Sequence, residues 1–350
     1  MEPIELELGP LKDPLRSPYL HRKIAFSADN KYLAISGRQE GEAAFAWELP
    51  GGRKLAQPQL FGNSFLEFIG NSHLLMGDAA KIWDVPGNDE VTTSGGFRPE
   101  AGVSQLKDSY FDHCMDLNPS GTLLLGAPLH DRDYYYYGLG MWDVGGGNFL
   151  RRYDTPRVKF NNSKVTFLPD GQLFVFAAQL EQSNKTLNIT SWEIASGKKV
   201  TEINLQVGMD DFNFDFSPDG TLLIVADKTY ELESGQLQPV SVSVASERPA
   251  TTFANKTVIS RDLALVSPNS GELYVKDMSG KIVETLKASY ERRSIAVDGH
   301  EEQKLQPRVM GASRDGTYYA AGDNRKILVW QASSVGRLDG FTGHRLNYDL

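Results

Sequence analysis

The chain has 350 residues, and 36 Lys and Arg against 45 Asp and Glu give it a formal net charge of −9. This acidic balance argues against a protein that coats nucleic acid, because binding to phosphates depends on excess basic charge. Hydrophobic residues at 40% and charged residues at 23% predict a folded core, and the single cysteine, Cys114, excludes an intramolecular disulfide and a multi-cysteine zinc site.

The first ten residues, MEPIELELGP, contain neither the basic nor the apolar region of a signal peptide. No stretch of the sequence reaches the roughly 18 to 20 apolar residues that cross a bilayer. We therefore expect a cytoplasmic protein, or a nuclear one in a cell with a nucleus, that has no membrane partner. Residues 4–8 alternate apolar and acidic side chains, and this period of two predicts a strand.

Seven segments then repeat one pattern along the chain. Each has a short apolar run, a polar turn such as Pro-Asp-Gly or Asn-Pro-Ser-Gly, and a second apolar run, which together predict a tight β-hairpin. We call these the anchor turns, and they centre on Asp29, Asn71, Ser120, Asp170, Asp219, Asp262 and Asp315. Their spacing of about 40 to 50 residues fits one four-stranded sheet, or blade, per repeat.

The tryptophans fall at a single phase of this repeat, after the second apolar run. They are Trp47, Trp83, Trp142, Trp192 and Trp330. A residue type restricted to one phase predicts a packing role, with the ring between neighbouring blades. Each blade is thus predicted to have an inner strand before the anchor turn, a second strand after it, a third strand with the tryptophan, and a more polar fourth strand. Repeats five and six lack the tryptophan.

These residues resemble the WD-repeat family over nearly the whole chain. The Trp-Asp pairs at 83–84 and 142–143 match the family's Trp-Asp pair, and the Gly-His pair at 299–300 matches the one that opens a family repeat. The resemblance implies an all-β fold, a single seven-bladed β-propeller over residues 1–350. It also implies a structural hydrogen-bond network in the seventh blade, formed by His300, Asp323 and Trp330. The other six repeats lack the Gly-His pair.

Either end of the chain offers a strand that can complete the seventh blade. Residues 337–342 follow Trp330 at the spacing of a family fourth strand, and residues 4–8 also read as a strand. Because an open propeller would expose strand edges, we expect one of the two to pair with the last blade.

No group of titratable residues has a spacing that indicates catalysis. His113 precedes Cys114, but neighbours in a strand point to opposite faces, so we predict a buried, inert thiol. The run at 130–133, His-Asp-Arg-Asp, has donors for a divalent ion, but its arginine and its lack of calcium-loop spacing favour a solvated loop. The glycines at 145–147 predict a turn between the third and fourth strands of blade three. We expect no cofactor and no metal.

Three segments are longer than a blade requires: the connections over residues 87–113 and 281–308, and a predicted loop over 128–138. The parts that project from them are residues 95–112, 288–304 and 129–137, respectively. The family's strand order sends all three to one face, where long loops commonly carry recognition. The candidate partner-binding residues in them are Phe111, Asp131, Arg132, Asp133, Tyr134, Tyr135, Arg292 and Arg293. Aromatic side chains mixed with charges of both signs suit a protein or peptide partner better than a nucleic acid.

The sequence thus predicts a non-enzymatic interaction platform, acting as a subunit or domain of a larger assembly. The alternative is a propeller enzyme or ligand-binding protein with its site at the mouth of the channel. A third reading is that the chain is one domain of a longer polypeptide, since Gly343 and His344 look like the opening of another repeat. Docking to a cullin ligase has no support, because neither Trp-Asp pair is followed by the required arginine.

Overall fold

All regular elements in the described part of the chain are β-strands. The structure, a computed structural model, describes residues 2–8, 23–36, 44–56, 66–76, 81–91, 114–130, 135–183, 185–207, 214–217, 220–225, 228–233, 236–240, 255–258, 263–267, 273–277, 281–287, 309–313, 315–322 and 326–333. Those ranges contain no helix that is long and apolar enough to span a membrane. The all-β class predicted from the sequence is confirmed.

Five of the six sheets have four antiparallel strands. The first sheet contains β2 (Ile24–Phe26), β3 (Tyr32–Ile35), β4 (Phe45–Glu48) and β5 (Arg53–Ala56). The second contains β6 (Leu66–Ile69), β7 (His73–Met76), β8 (Lys81–Asp84) and β9 (Asp89–Glu90). The fourth contains β17 (Phe214–Phe216), β18 (Leu222–Val225), β19 (Lys228–Glu233) and β20 (Gln236–Val240). The fifth contains β21 (Asn255–Val258), β22 (Leu263–Ser267), β23 (Leu273–Asp277) and β24 (Ile282–Leu286).

The third sheet has more strands than the others, and the sixth departs from chain order. The third has seven strands, β10 (Met115–Leu117), β11 (Leu123–His130), β12 (Tyr135–Asp143), β13 (Phe149–Phe167), β14 (Leu173–Leu180), β15 (Thr186–Glu193) and β16 (Lys199–Gln206). The sixth combines the first strand in the sequence with the last three, in the order β1 (Ile4–Glu7), β27 (Lys326–Gln331), β26 (Tyr318–Gly322) and β25 (Val309–Ala312).

The strands before and after each predicted anchor turn pair antiparallel, which confirms the predicted hairpin pairing in all seven repeats. At Asp315, side-chain hydrogen bonds stabilise the anchor turn. This carboxylate accepts hydrogen bonds from the Thr317 amide at 2.9 Å and from the Ser313 hydroxyl at 2.8 Å, which ties the two sides of the turn together. Asn30 also donates to Asp315 at 2.7 Å, so a side-chain contact joins the first sheet to the last. Asp219 and Asp262 lie outside the described residues.

Burial by itself raises the pKa of the Asp315 carboxyl, but its hydrogen bonds outweigh that effect. The donors are the Thr317 amide and hydroxyl, the Ser313 hydroxyl and the Asn30 amide. The pKa of Asp315 is therefore lowered, because these donors favour the charged form.

The core consists of apolar clusters that each lie between two sheets or sheet halves. We use unit for the strands of one sequence repeat. Four tryptophans lie on the third strand of their unit and are buried in these clusters, as predicted. Their side chains are 0 to 3% exposed, and they are Trp47, Trp142, Trp192 and Trp330. Trp83, also on a third strand, is half-buried. Trp330 donates its indole N–H to the Lys287 carbonyl of the preceding sheet at 3.2 Å. Burial between units is thus the role of the tryptophan position.

The last sheet packs on the first, through a cluster that includes Phe26 and Trp47 of the first sheet with Val309 and Val329 of the last. The edge of β27 is paired with β1, so the expectation that one terminus completes the last sheet is confirmed, and it is the N-terminal strand. The edge predicted for residues 337–342 is therefore occupied by β1. Residues 337–342 themselves lie outside the described residues.

Candidate interaction surface

All strands of the seven-stranded sheet except β10 are longer than the strands of the other sheets. β11, β14, β15 and β16 have 8 residues each and β12 has 9, whereas the strands of the four-stranded sheets have 2 to 6. The added length lies away from the anchor turns, because β11 pairs with β10 up to Gly126 and then continues to His130. We call the end of this sheet opposite its anchor turns the far end. At about 3.3 Å per residue, the four residues after Gly126 add about 13 Å to this strand.

Val158 joins the two halves of the sheet at the far end. It pairs with Tyr136 of β12 on one side and with Leu180 of β14 on the other. Between Val158 and Ser163 the register with β14 shifts, and here β13 passes from one half of the sheet to the other. The far end is therefore one hydrogen-bonded surface rather than two separate sheet ends.

The loop predicted over residues 128–138 is mostly strand, which corrects the sequence prediction. β11 continues to His130 and β12 begins at Tyr135, so residues 131–134 remain between them. Tyr135 pairs with Lys159, and Tyr136 pairs with both His130 and Val158. Backbone pairing on both sides outweighs the turn signal of the proline and charged residues in this segment.

Tyr135 is the one candidate partner-binding residue whose backbone the structure places, and it places that backbone at the far end. The other candidates lie outside the described residues, as do the network residues His300 and Asp323. The candidate partner-binding residues outside the described part of the chain are Phe111, Asp131, Arg132, Asp133, Tyr134, Arg292 and Arg293.

Charged residues that the sequence analysis did not select surround the far end. Arg157 forms an ion pair with Glu181 at 3.0 Å, and the two side chains are 41% and 27% exposed. Asp154, whose side chain is 86% exposed, contacts Arg152 at 3.1 Å. Nothing in the repeat pattern marks these residues, because they lie where β13 and β14 extend beyond the length of a typical strand.

An aromatic cluster joins the two halves of the seven-stranded sheet toward its anchor-turn end. The ring of Tyr153 lies 4.7 Å from that of Phe174, which stacks on Trp192 at 5.1 Å. Burial raises the pKa of the Tyr153 phenol, and the Arg151 charge beside it opposes that effect only partly. Arg151 donates to the Ile194 carbonyl at 3.2 Å, so the two halves of the sheet are also linked near the anchor-turn end.

A ladder of polar side chains lies on β15 and β16. The buried Asn188 amide donates to Glu202 at 3.1 Å and to Asn204 at 3.0 Å, and it accepts from the Thr190 hydroxyl at 2.9 Å. The Lys199 ammonium, followed by the Asn188 amide, lowers the pKa of Glu202 despite some burial. This outermost strand pair is held by side-chain as well as backbone hydrogen bonds.

In both Trp-Asp pairs the aspartate side chain stabilises a turn. Asp84 accepts from the Gly87 amide at 3.0 Å, and Asp143 accepts from the Gly146 amide at 2.7 Å. Each carboxylate thereby closes the turn between the third and fourth strands. The predicted turn over residues 145–147 is confirmed, with Gly147 at a φ of 64°.

Charges on the first strands of neighbouring units contact one another. Lys23 pairs with Glu67 at 3.1 Å, and Lys164 pairs with Asp215 at 2.7 Å. Asp116 accepts a hydrogen bond from the Phe167 amide of the next unit at 2.8 Å. These groups connect first strands across the unit boundaries.

The predicted inert thiol is confirmed. Cys114 is fully buried, and that burial raises the pKa of its thiol to about 12. A thiol in this state is not a nucleophile at neutral pH, since the thiolate is the reactive form. Among the described residues, no group of three or more His, Cys, Asp or Glu side chains is placed to hold a metal ion.

The comparisons with known proteins bear on the fold. No protein-family model matches the sequence, and no curated protein matches it. One solved structure that is similar is Kuenenia stuttgartiensis Hydrazine Synthase, with a TM-score of 0.59 and 14% sequence identity. The match covers 93% of this chain and 99% of that chain. At this identity the likeness concerns the fold alone.

Proposed function

We propose that the chain is a seven-bladed β-propeller of the WD-repeat type, and that it is a non-enzymatic platform for a protein or peptide partner. The support for seven blades comes from β13. Its first part pairs with β12 as a fourth strand, and its last part pairs with β14 as a first strand. The seven-stranded sheet then corresponds to two blades that share one strand, and the five four-stranded sheets supply the other five.

Core clusters lie at every sheet junction in the described part of the chain except that of the fourth and fifth sheets, and this order of packing also supports a closed ring of blades. The core clusters join the first sheet to the second, the second to the seven-stranded sheet, and that sheet to the fourth. Further clusters join the fifth sheet to the last and the last to the first. A propeller requires each blade to pack on its chain neighbours and the last on the first.

The observation that carries the platform proposal is the joined, extended far end. Strands paired on both sides give a rigid base, and residues 131–134 of the predicted partner-binding set connect two of these strands. Exposed Asp154 and the Arg157–Glu181 pair add charges of both signs. Such a combination suits a protein or peptide, and the net charge of −9 favours a partner with basic patches.

A charge-reversal variant tests this surface with little effect on folding. Arg157→Glu combined with Glu181→Arg keeps the ion pair but inverts the charges presented at the far end. The control is Lys198→Glu, an exposed residue in the turn between β15 and β16 at the opposite end of the sheet. The tagged chains would be used for affinity purification from the native source, with mass spectrometry of the bound proteins.

We expect recovery of the partner to fall about tenfold in the double variant, with a melting temperature close to that of wild type, and to be unchanged in Lys198→Glu. Loss of the partner in the control alone would place binding at the other end of the sheet. Saturable hydrolysis of lactones or phosphoesters that a chelator abolishes would refute the non-enzymatic part of the proposal.

A further inference from the structure

The N-terminal strand β1 completes the last sheet by a short set of contacts. Four residue pairs join it to β27, from Ile4 with Val329 to Glu7 with Lys326. Along β1 the side chains alternate, since Leu6 is buried and Glu5 and Glu7 are exposed. Residues 9–22 separate this strand from β2, the next strand in the chain.

Specific side-chain contacts accompany the backbone pairing. Leu6 and Leu8, which are 1% and 4% exposed, belong to the cluster between the first and last sheets. A Cβ on Gly52 would lie 3.2 Å from the Leu6 side chain, so the turn after β4 bounds the apolar slot. Lys326 forms an ion pair with Glu5 at 3.0 Å. The edge of β27 therefore recognises both the backbone and the alternating pattern of residues 4–8.

We propose that this edge is a strand-acceptor site whose donor strand is exchangeable, so that residues 2–8 of a second copy of this chain can replace the molecule's own β1. The contacts described for β1 are made by residues 4–8, and the same residues of a second copy can make them. Addition of an extended strand to a sheet edge gains affinity from main-chain hydrogen bonds and specificity from pockets for alternate side chains. A strand held by only four residue pairs is also the kind of element that opens locally before the rest of a fold.

Tethering explains why the molecule's own strand occupies the site at low protein concentration. A strand that is tethered within the same chain has an effective concentration on the order of mM. A second copy at about 10 µM would then occupy roughly one site in a hundred at any time. Exchange is thus expected to be rare but detectable when each event is trapped.

Disulfide trapping between two full-length variants detects the exchange. One chain carries Glu7→Cys and the other carries Lys326→Cys, because these positions are partners in the β1–β27 register. The native Cys114 is fully buried and does not compete. In the matched control, the Lys326→Cys chain is mixed with a Lys199→Cys chain, whose new cysteine lies on the exposed start of β16.

After equal incubation under mild oxidation, we expect at least about tenfold more disulfide-linked heterodimer from the first mixture than from the control. Equal yields in the two mixtures, or no heterodimer in either, would overturn the proposal. A chain with both substitutions, Glu7→Cys and Lys326→Cys, reports that the register permits the bond, since it should form an intramolecular disulfide.

A peptide with the sequence of residues 2–8 provides a second measurement. Labelled peptide should bind the reduced double-cysteine chain at least about tenfold more tightly than the oxidised one, in which β1 is locked in place. The same peptide with Leu6→Asp should bind neither form. Equal binding to both redox forms would show that the peptide uses another surface and would refute the acceptor site.

Discussion

The packing of Trp142 provides the sharpest test of the blade arrangement. Its indole is 1% exposed, lies in a cluster with Leu75 of the second sheet and Leu124 of its own sheet, and meets the ring of Phe149 edge-on at 5.4 Å. Truncation of a buried tryptophan to alanine typically costs about 3 to 5 kcal/mol, and we expect Trp142→Ala to fall in that range. With an unfolding entropy near 2 cal/mol/K per residue, a loss of 4 kcal/mol lowers the melting temperature of a domain of this size by about 5 °C.

A second substitution, at Gly140, allows the coupling free energy between this position and Trp142 to be measured. A Cβ at Gly140 would overlap the indole of Trp142, so Gly140→Ala forces the ring out of place. We expect that change to cost about 1 to 3 kcal/mol in the presence of the ring. When Trp142→Ala has removed the indole, the added methyl group has room. The double variant should therefore lose no more stability than Trp142→Ala alone.

The assay is urea unfolding followed by circular dichroism, because removal of a tryptophan alters fluorescence directly. The control is Leu150→Ala, which truncates a nearby side chain that is 51% exposed and should cost about 0.5 kcal/mol or less. Equal destabilisation by Trp142→Ala and Leu150→Ala, or additive costs in the double variant, would show that the ring is not packed against Gly140 between two units.

Four further outcomes follow from the structure. Gly220→Ala should destabilise the protein more than Gly171→Ala, measured by urea unfolding, because both glycines have positive φ but only at Gly220 would the methyl group overlap a neighbouring carbonyl oxygen. The stability advantage of wild type over Asp315→Asn should be complete above the ordinary carboxyl pKa and disappear as the pH falls through the lowered pKa of the folded state. Cys114 should resist a thiol reagent at pH 8 until the protein unfolds. Deletion of residues 1–10 should lower the melting temperature, because β1 is lost.

The hairpins and the tryptophan positions could be predicted from the sequence because both depend on local signals. Gly121, for example, has a φ of 69° at the turn that follows Ser120, and few other residues adopt that conformation without strain. The apolar runs that follow the turns are short and continuous, as expected for buried strands, and β14 and β26 are buried along nearly their whole length. Trp142 and Trp330 are fully buried because their place in the repeat puts the ring between two units.

The extended far end could not be predicted in the same way, because it depends on pairing between repeats. Pro128 and the charged residues after it give a turn signal, and the sequence analysis placed a loop there. The pairing of Val158 with both Tyr136 and Leu180 joins segments from two different repeats. No pattern within one repeat contains that information, and the ion pair between Arg157 and Glu181 depends on the same register.

The position of β1 depends both on local sequence signals and on packing between distant parts of the chain. Its period of two predicted a strand, and the cost of an open edge predicted that one terminus would cover β27, but both termini satisfied these local conditions. The choice is decided by a slot that forms only when the first and last sheets come together: Leu6 enters the cluster between them, and Gly52 leaves room for its side chain. The sequence of β1 is therefore matched to a surface made by residues far away in the chain, and this match is what the cysteine and peptide experiments measure.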